Sequence, residues 1–584
     1  MTGVPKARAA LLAALLAVLL ASGCTTLPVT GPIHTRPDSA SDGGGQAPYF
    51  APPGPVAGDD PAAVARGFLL ATQANPPSTS VARSYLSDTA KATWKPVAGT
   101  VVYDGATVVA VTGGVQVRLT GVHRLDARGA WTGGTGSAAT TMQLSMAMED
   151  GEWRIVDPPE ELPVPASYFR SLYVPLLVYF FDRSGTVLVP TRIYLPRGEQ
   201  IASNLVRALL AGPSEAMSGT VRSAFASGTE LDLAVVVDPD GVAEIPLGRQ
   251  VQELAPADLR RAVSQLAWTL RQVPGIERLR VSVDGAALPV VGGRTDVDLD
   301  EGAQYDPVST PGPDLVALAG GRVQRTDDQA LAPLGGPLGQ KGFALRSVAR
   351  SVARGQIAAT AANGRRLYLA PDAGETDAGR VRVAIDGASN LLPPVYDRFG
   401  RLWTVDEAPT GAVVHVVTGT RDRVVRVPGV TGRRVSAFTI TRDGARFVAG
   451  LATGTAPQVL VSGLVRDARG TVTAVRRAEV LTVAAAGTGP VLDLAQDSAT
   501  TVAILTEPRP GRMQVLALEL DGSPGSTVPF TSDPVPGVAV SLLGSPDPRL
   551  PIRLVTDDRR LYYRSAGGAW VRSATDVLAA SYQD

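Results

Sequence analysis

The chain has 584 residues, 45% of them hydrophobic and 5% aromatic, enough for several domains with cores of ordinary size. Lys plus Arg and Asp plus Glu both number 55, and the formal net charge of zero argues against a nucleic-acid surface. A single cysteine excludes intrachain disulfides, so the cores must hold without staples.

That cysteine, Cys24, follows Lys6 and Arg8, an apolar run from Ala9 to Ala21, and the small pair Ser22-Gly23. The run is too short to span a hydrocarbon core about 30 Å thick, and it reads as a removable signal. The pattern resembles a bacterial lipoprotein signal, residues 1–23, cleaved between Gly23 and Cys24. The resemblance implies S-diacylglycerol and N-acyl groups on Cys24, which would hold the protein at the cell membrane on its extracytoplasmic face. Residues 24–59 are rich in Pro, Gly, Ser and Asp and read as a flexible tether reaching on the order of 30 Å.

Residues 60–158 form the first expected domain. Asp60-Pro61 gives an N-cap followed by proline in the first turn, and Val64, Phe68 and Leu69 mark a helical stripe. Further helices are expected at 81–86 and 89–94. The period then changes to two, predicting strands at 101–103, 107–111, 115–125, 142–148 and 153–156. Helices followed by a curved antiparallel sheet resemble an NTF2-like α+β cone, which would enclose a cavity. His123, on a strand, reads as a structural residue.

Residues 172–290 carry the clearest pattern. Strands are expected at 174–181 and 186–195, a helix from Ile201 to Ala211 stopped by Gly212-Pro213, and a hairpin of 231–237 with 242–245 around Asp238-Pro239-Asp240-Gly241. A long helix follows from near Pro256 to before Pro274, then a strand at 276–283. The segments Leu209-Leu210-Ala211-Gly212-Pro213, Ser227-Gly228-Thr229-Glu230-Leu231 and Val281-Ser282-Val283-Asp284-Gly285 resemble the α/β GerMN domain of spore-germination and envelope proteins. Ala226 stands where that family usually has proline. Leu259, Val263, Leu266 and Leu270 share one face of the long helix, so Trp268 is expected on the opposite, solvent side as a candidate interface residue.

Residues 291–314, with Pro307, Pro311 and Pro313, read as a linker. Within it Asp296, Asp298 and Asp300 begin like a calcium loop, but Glu301 and Pro307 occupy the required glycine and bidentate positions. From 315 to 584 the pattern is all β. Turns recur at Asn363-Gly364, Asp397-Arg398-Phe399-Gly400, Asp443-Gly444 and Asp557-Asp558, each before an alternating strand. Glycines 364, 400 and 444 are spaced like propeller blades, and the segment length predicts about six.

Chemistry is sparse. His34, His123 and His415 lie in three separate units, and no P-loop, G-x-S-x-G or H-E-x-x-H motif occurs. No catalytic residue, metal site or cofactor is expected, and a non-enzymatic role is favoured. The order of signal, NTF2-like unit, GerMN domain and β-propeller resembles the actinobacterial LpqB lipoprotein family. That resemblance implies an accessory to two-component signalling. Such a protein would bind the extracytoplasmic sensor region of an MtrB-like histidine kinase and influence an MtrA-like regulator in envelope homeostasis and division. Contact with the cell wall is a further expectation. The rival reading is a glycan-binding module or hydrolase using the NTF2-like cavity or the propeller mouth.

Overall fold

Asp60 accepts a hydrogen bond from the Ala63 amide (2.7 Å) and starts the first helix, Pro61–Ala71, as its proline-led sequence requires. The computed structural model describes residues 49–133, 139–290, 292–308, 314–326, 330–340, 342–373, 380–483, 489–524 and 534–583. The signal, Gly23, Cys24, His34, Pro311 and Pro313 lie outside the described residues.

Two short helices, Ser80–Ser84 and Asp88–Thr93, follow the first. Seven strands then form two sheets. In one, Gly99–Tyr103 pairs antiparallel with His123–Asp126 and parallel with Glu161–Pro165. The other is the antiparallel series Gly105–Val111, Gly114–Thr120, Thr140–Glu149 and Glu152–Ile155. The single strand expected over 115–125 is divided at Gly121, whose φ of 60° turns the chain into the neighbouring sheet. The interior is filled by Phe68, Tyr85, Trp94, Leu119, Leu144 and Ile155. Side chains occupy the space where an open cone would hold its cavity.

In the second domain Tyr173–Asp182 and Leu188–Pro196 pair over nine positions. Asp182 makes their turn by accepting the Thr186 and Val187 amides at 2.9 and 3.1 Å. Helices Ile201–Leu210 and Pro256–Leu270 pack on these strands and on Val242–Pro246, which runs parallel to Arg278–Val283. The strand expected from 231 is shorter, with regular pairing only at Val236–Val237. The segment expected as a linker also contributes: Asp296–Asp298 pairs with Arg278–Val283, extending the sheet.

The remaining strands make six sheets among the described residues. The last strand, Val577–Tyr582, pairs with Leu315–Ala319 and so closes the ring of a β-propeller on its first blade. Left-handed turns at Gly364, Gly400 and Gly444 (φ 73°, 68° and 74°) match the recurring motif, whereas Arg559 takes that conformation in the fourth (φ 61°). These turns are not all equivalent. Gly400 and Gly444 join the innermost strand of a blade to the second, but Gly364 joins the second to the third. Only the 44-residue step from 400 to 444 is a blade repeat.

Candidate functional site

Trp268 is 6% exposed, which overturns its expected solvent position. The helix is covered on that side by residues 299–305 of the expected linker. The Trp268 indole N–H donates to the Gly302 carbonyl at 3.0 Å, and the Arg271 guanidinium lies 3.8 Å from the ring centre. Arg271 also donates to the Leu299 carbonyl at 3.0 Å. Helical periodicity carried no sign of the segment that folds over this face, and the Tyr179 ring, 5.3 Å away, makes Trp268 part of the domain core. Trp268→Phe deletes the N–H and shrinks a buried ring, so a loss of about 1–3 kcal/mol is expected. Amide exchange should accelerate over 299–305, and unchanged protection there would contradict this role.

The other singled-out residues serve local structure. Asp296 receives two hydrogen bonds from Arg280, at 2.6 and 2.7 Å, which hold its carboxyl below the ordinary range. His415 Nδ1 lies 2.9 Å from Asp422, and the His123 ring centre is 4.8 Å from that of Trp131. Among the described residues, no group of three potential ligands could hold a metal ion, and no helix is long and apolar enough to cross a membrane.

Two cavities stand out. The first, about 390 Å³, is the propeller channel, lined by the six innermost strands of the blades. Its polar groups largely tie those strands together. Asp493 accepts the Leu494 and Leu542 amides at 2.8 and 2.7 Å, linking adjacent blades, and burial pushes its carboxyl up to about 6. Arg350 bridges Asp372 at 2.9 Å and Gln583 at 2.7 Å.

The second cavity, about 370 Å³, lies where the N-terminal domain, the second domain and the propeller meet. Strand Leu188–Pro196 organises this junction. Its alternate residues reach outward, as the pleat of a strand requires. The Pro190 carbonyl accepts from Arg446 (3.2 Å), Arg192 pairs with Glu519 (2.8 Å), and the Tyr194 hydroxyl donates to Ser523 (2.7 Å). Tyr194 also stands against Trp131 and Phe169 of the N-terminal domain, with ring centres 6.0 and 5.3 Å away. Burial pushes its hydroxyl up to about 12, keeping it a neutral donor. Arg128 of the N-terminal domain caps helix Ile201–Leu210 by donating to the Ala211 and Gly212 carbonyls at 3.2 and 3.0 Å. Sequence reasoning missed this junction entirely, because residues more than 300 positions apart build it and no local motif marks them.

Three family models match the chain in succession. "Lipoprotein LpqB, N-terminal domain" matches residues 54–170, "Sporulation and spore germination" matches 177–289, and "Lipoprotein LpqB beta-propeller domain" matches 321–580. The chain is 29% identical over 465 residues to Lipoprotein LpqB of Cutibacterium acnes, covering 76% of each chain. To Lipoprotein LpqB of Streptomyces coelicolor it is 26% identical over 610 residues, covering 97% of this chain and 96% of the relative. The first GerMN domain of the sporulation protein GerM from Bacillus subtilis aligns at 23% identity and a TM-score of 0.19, covering 21% of this chain and 97% of that one.

Proposed function

The chain belongs to the LpqB lipoprotein family, and from that premise we propose that it is a membrane-anchored accessory protein working by contact. Its acylated Cys24 holds the folded domains on the extracytoplasmic face, where they bind the sensor region of an MtrB-like histidine kinase. Binding then modulates signalling through an MtrA-like regulator of envelope homeostasis and division.

The observation that carries this reading is the three-domain junction around Tyr194 and Arg192. Domains joined by a buried ion pair, hydrogen bonds and an aromatic cluster present one preorganised surface, so little ordering entropy opposes docking. A flexible tether confines that surface near membrane partners, at effective concentrations on the order of millimolar. The packed interior of the N-terminal domain weighs against a hydrolase that would use a cavity there.

A pull-down with the isolated kinase sensor domain, run beside binding and turnover assays on purified peptidoglycan, tests the reading. Kinase retention without glycan turnover supports an adaptor, whereas turnover without retention supports the hydrolase. Cys24→Ala should release the protein from membranes or leave its signal uncleaved, with an unchanged circular dichroism spectrum. Membrane retention and normal processing of this variant would remove the anchor from the account.

A further inference from the structure

We propose that strand Gly105–Val111 of the N-terminal domain is a self-association edge, pairing antiparallel with the same strand of a second copy of this chain. The proposal goes beyond the kinase reading and does not depend on it.

The strand lies at the edge of its four-stranded sheet and pairs with Gly114–Thr120 over its whole length without a register shift. The two-residue turn Thr112-Gly113, with φ 81° at Gly113, makes Val111 and Gly114 a hydrogen-bonded pair. By alternation Thr107 and Val109 also bond to the neighbouring strand. The N–H and C=O groups of Ala106, Val108 and Ala110 then face the open edge, where no strand pairs among the described residues. The Met146 amide, donating to the Gly113 carbonyl at 3.2 Å, sets the same phase from the far side.

The other sheet edges of this domain are guarded. At Glu152–Ile155 the Ile155 amide donates to the Tyr85 carbonyl (3.0 Å), and its carbonyl accepts from the Ser87 amide (2.9 Å). Along His123–Asp126 the Asp126 amide donates to the Ala130 carbonyl (2.9 Å), and the Arg124 carbonyl accepts from Thr132 (3.0 Å). Glu161–Pro165 carries Pro163 and Pro165. Gly105–Val111 has no such device. From Gly105 to Gln116 the chain holds no charge and no proline, and Val109 and Val111 are 51% and 38% exposed. A regular, uncharged, exposed edge is a template for another strand.

Phase and charge select a second copy as the occupant. A two-fold axis through Val108, perpendicular to the sheet, sets Val108 opposite itself and Ala106 opposite Ala110 of the second copy. Every edge-facing group then meets its complement, and three pairs with two bonds each give about six hydrogen bonds. Thr107 lies opposite Val109 of the second copy on the solvent face, a β-branched pair that suits a sheet. The nearest charge, Asp104, falls opposite Thr112, so no like charges meet. One strand pair buries less than the roughly 1,200 Å² of a standard interface, which makes the dimer weak and concentration-dependent.

Sedimentation equilibrium and hydrogen exchange of the full mature protein, from micromolar to sub-millimolar concentration, test the proposal. A reversible monomer–dimer equilibrium is expected, weakened tenfold or more by Ala110→Pro and by Val109→Lys. Ala110→Pro removes an edge-facing N–H and no bond inside the domain, so its circular dichroism spectrum should match wild type. Gln116→Lys, on the same face one strand inward, should change the equilibrium less than twofold. In wild type the Ala106, Val108 and Ala110 amides should exchange more slowly as concentration rises, while Thr107 and Val109 stay protected throughout. A monomer at the highest concentration, a dimer unchanged by Ala110→Pro, or concentration-dependent protection confined to other strands would overturn the proposal. Should a variant fail to fold, the wild-type exchange pattern decides alone.

Discussion

Asp397→Ala is expected to destabilise the propeller by about 3–5 kcal/mol, because it strands a buried guanidinium. Asp397 and Arg466 form an ion pair at 2.9 Å, with side chains 0% and 3% exposed. The same carboxylate accepts the indole N–H of Trp403 at 3.0 Å and the Phe399 and Arg401 amides at 3.0 and 2.9 Å. Trp403 is fully buried at the centre of the third blade. One residue therefore closes a turn, anchors the largest buried aromatic and neutralises a buried cation. Asp397→Asn retains the turn acceptor but not the charge, so its loss should be smaller. The double change Asp397→Asn with Arg466→Met removes the uncompensated cation as well and should recover much of the deficit. Chemical denaturation of the three variants measures the order. A loss below about 1 kcal/mol for Asp397→Ala would refute the assigned role.

The second large effect concerns pH. Burial pushes the Glu519 carboxyl up to about 7, the neighbouring Arg192 opposing the rise and Asp521 and Asp497 reinforcing it. In the unfolded chain the group titrates near 4.5, so the folded protein binds more protons between the two values. The slope of unfolding free energy with pH is then negative: this contribution is greatest below about 4.5 and is lost as pH rises through 7. Each unit of pKa difference corresponds to about 1.4 kcal/mol, which puts the total on the order of 3 kcal/mol. Glu519→Gln removes the titration while keeping a polar partner for Arg192. Wild type should lose stability relative to this variant between pH 5 and 7, with a difference on the order of 3 kcal/mol. Asp493, whose carboxyl burial also raises, is present in both proteins, so the comparison isolates Glu519. Parallel pH profiles would show that Glu519 ionises normally at the junction. Because Glu519 ties the propeller to strand Leu188–Pro196, hydrogen exchange over 188–196 should follow the same profile.

Local elements were legible where a short-range rule governed them. Asp60-Pro61 started its helix, Gly212 (φ 79°) follows the end of Ile201–Leu210, and the Asp-led turns of the propeller appeared at the quoted positions. Blade spacing was only partly legible, since turns of one chemistry serve two different hairpins of a blade. Trp268 was expected in solvent, but it joins the domain core, and its partner at Gly302 is 34 residues away and follows no period.

Composition, hydrophobic period and turn chemistry act over a few residues, and by themselves they determined most of the helices and strands, the all-β character of the chain after 315 and the absence of intrachain disulfides. Tertiary structure alone decided which surfaces meet. The junction of Trp131, Arg192, Tyr194 and Glu519 joins three domains through contacts whose energy depends on burial and distance, quantities that sequence separation does not encode.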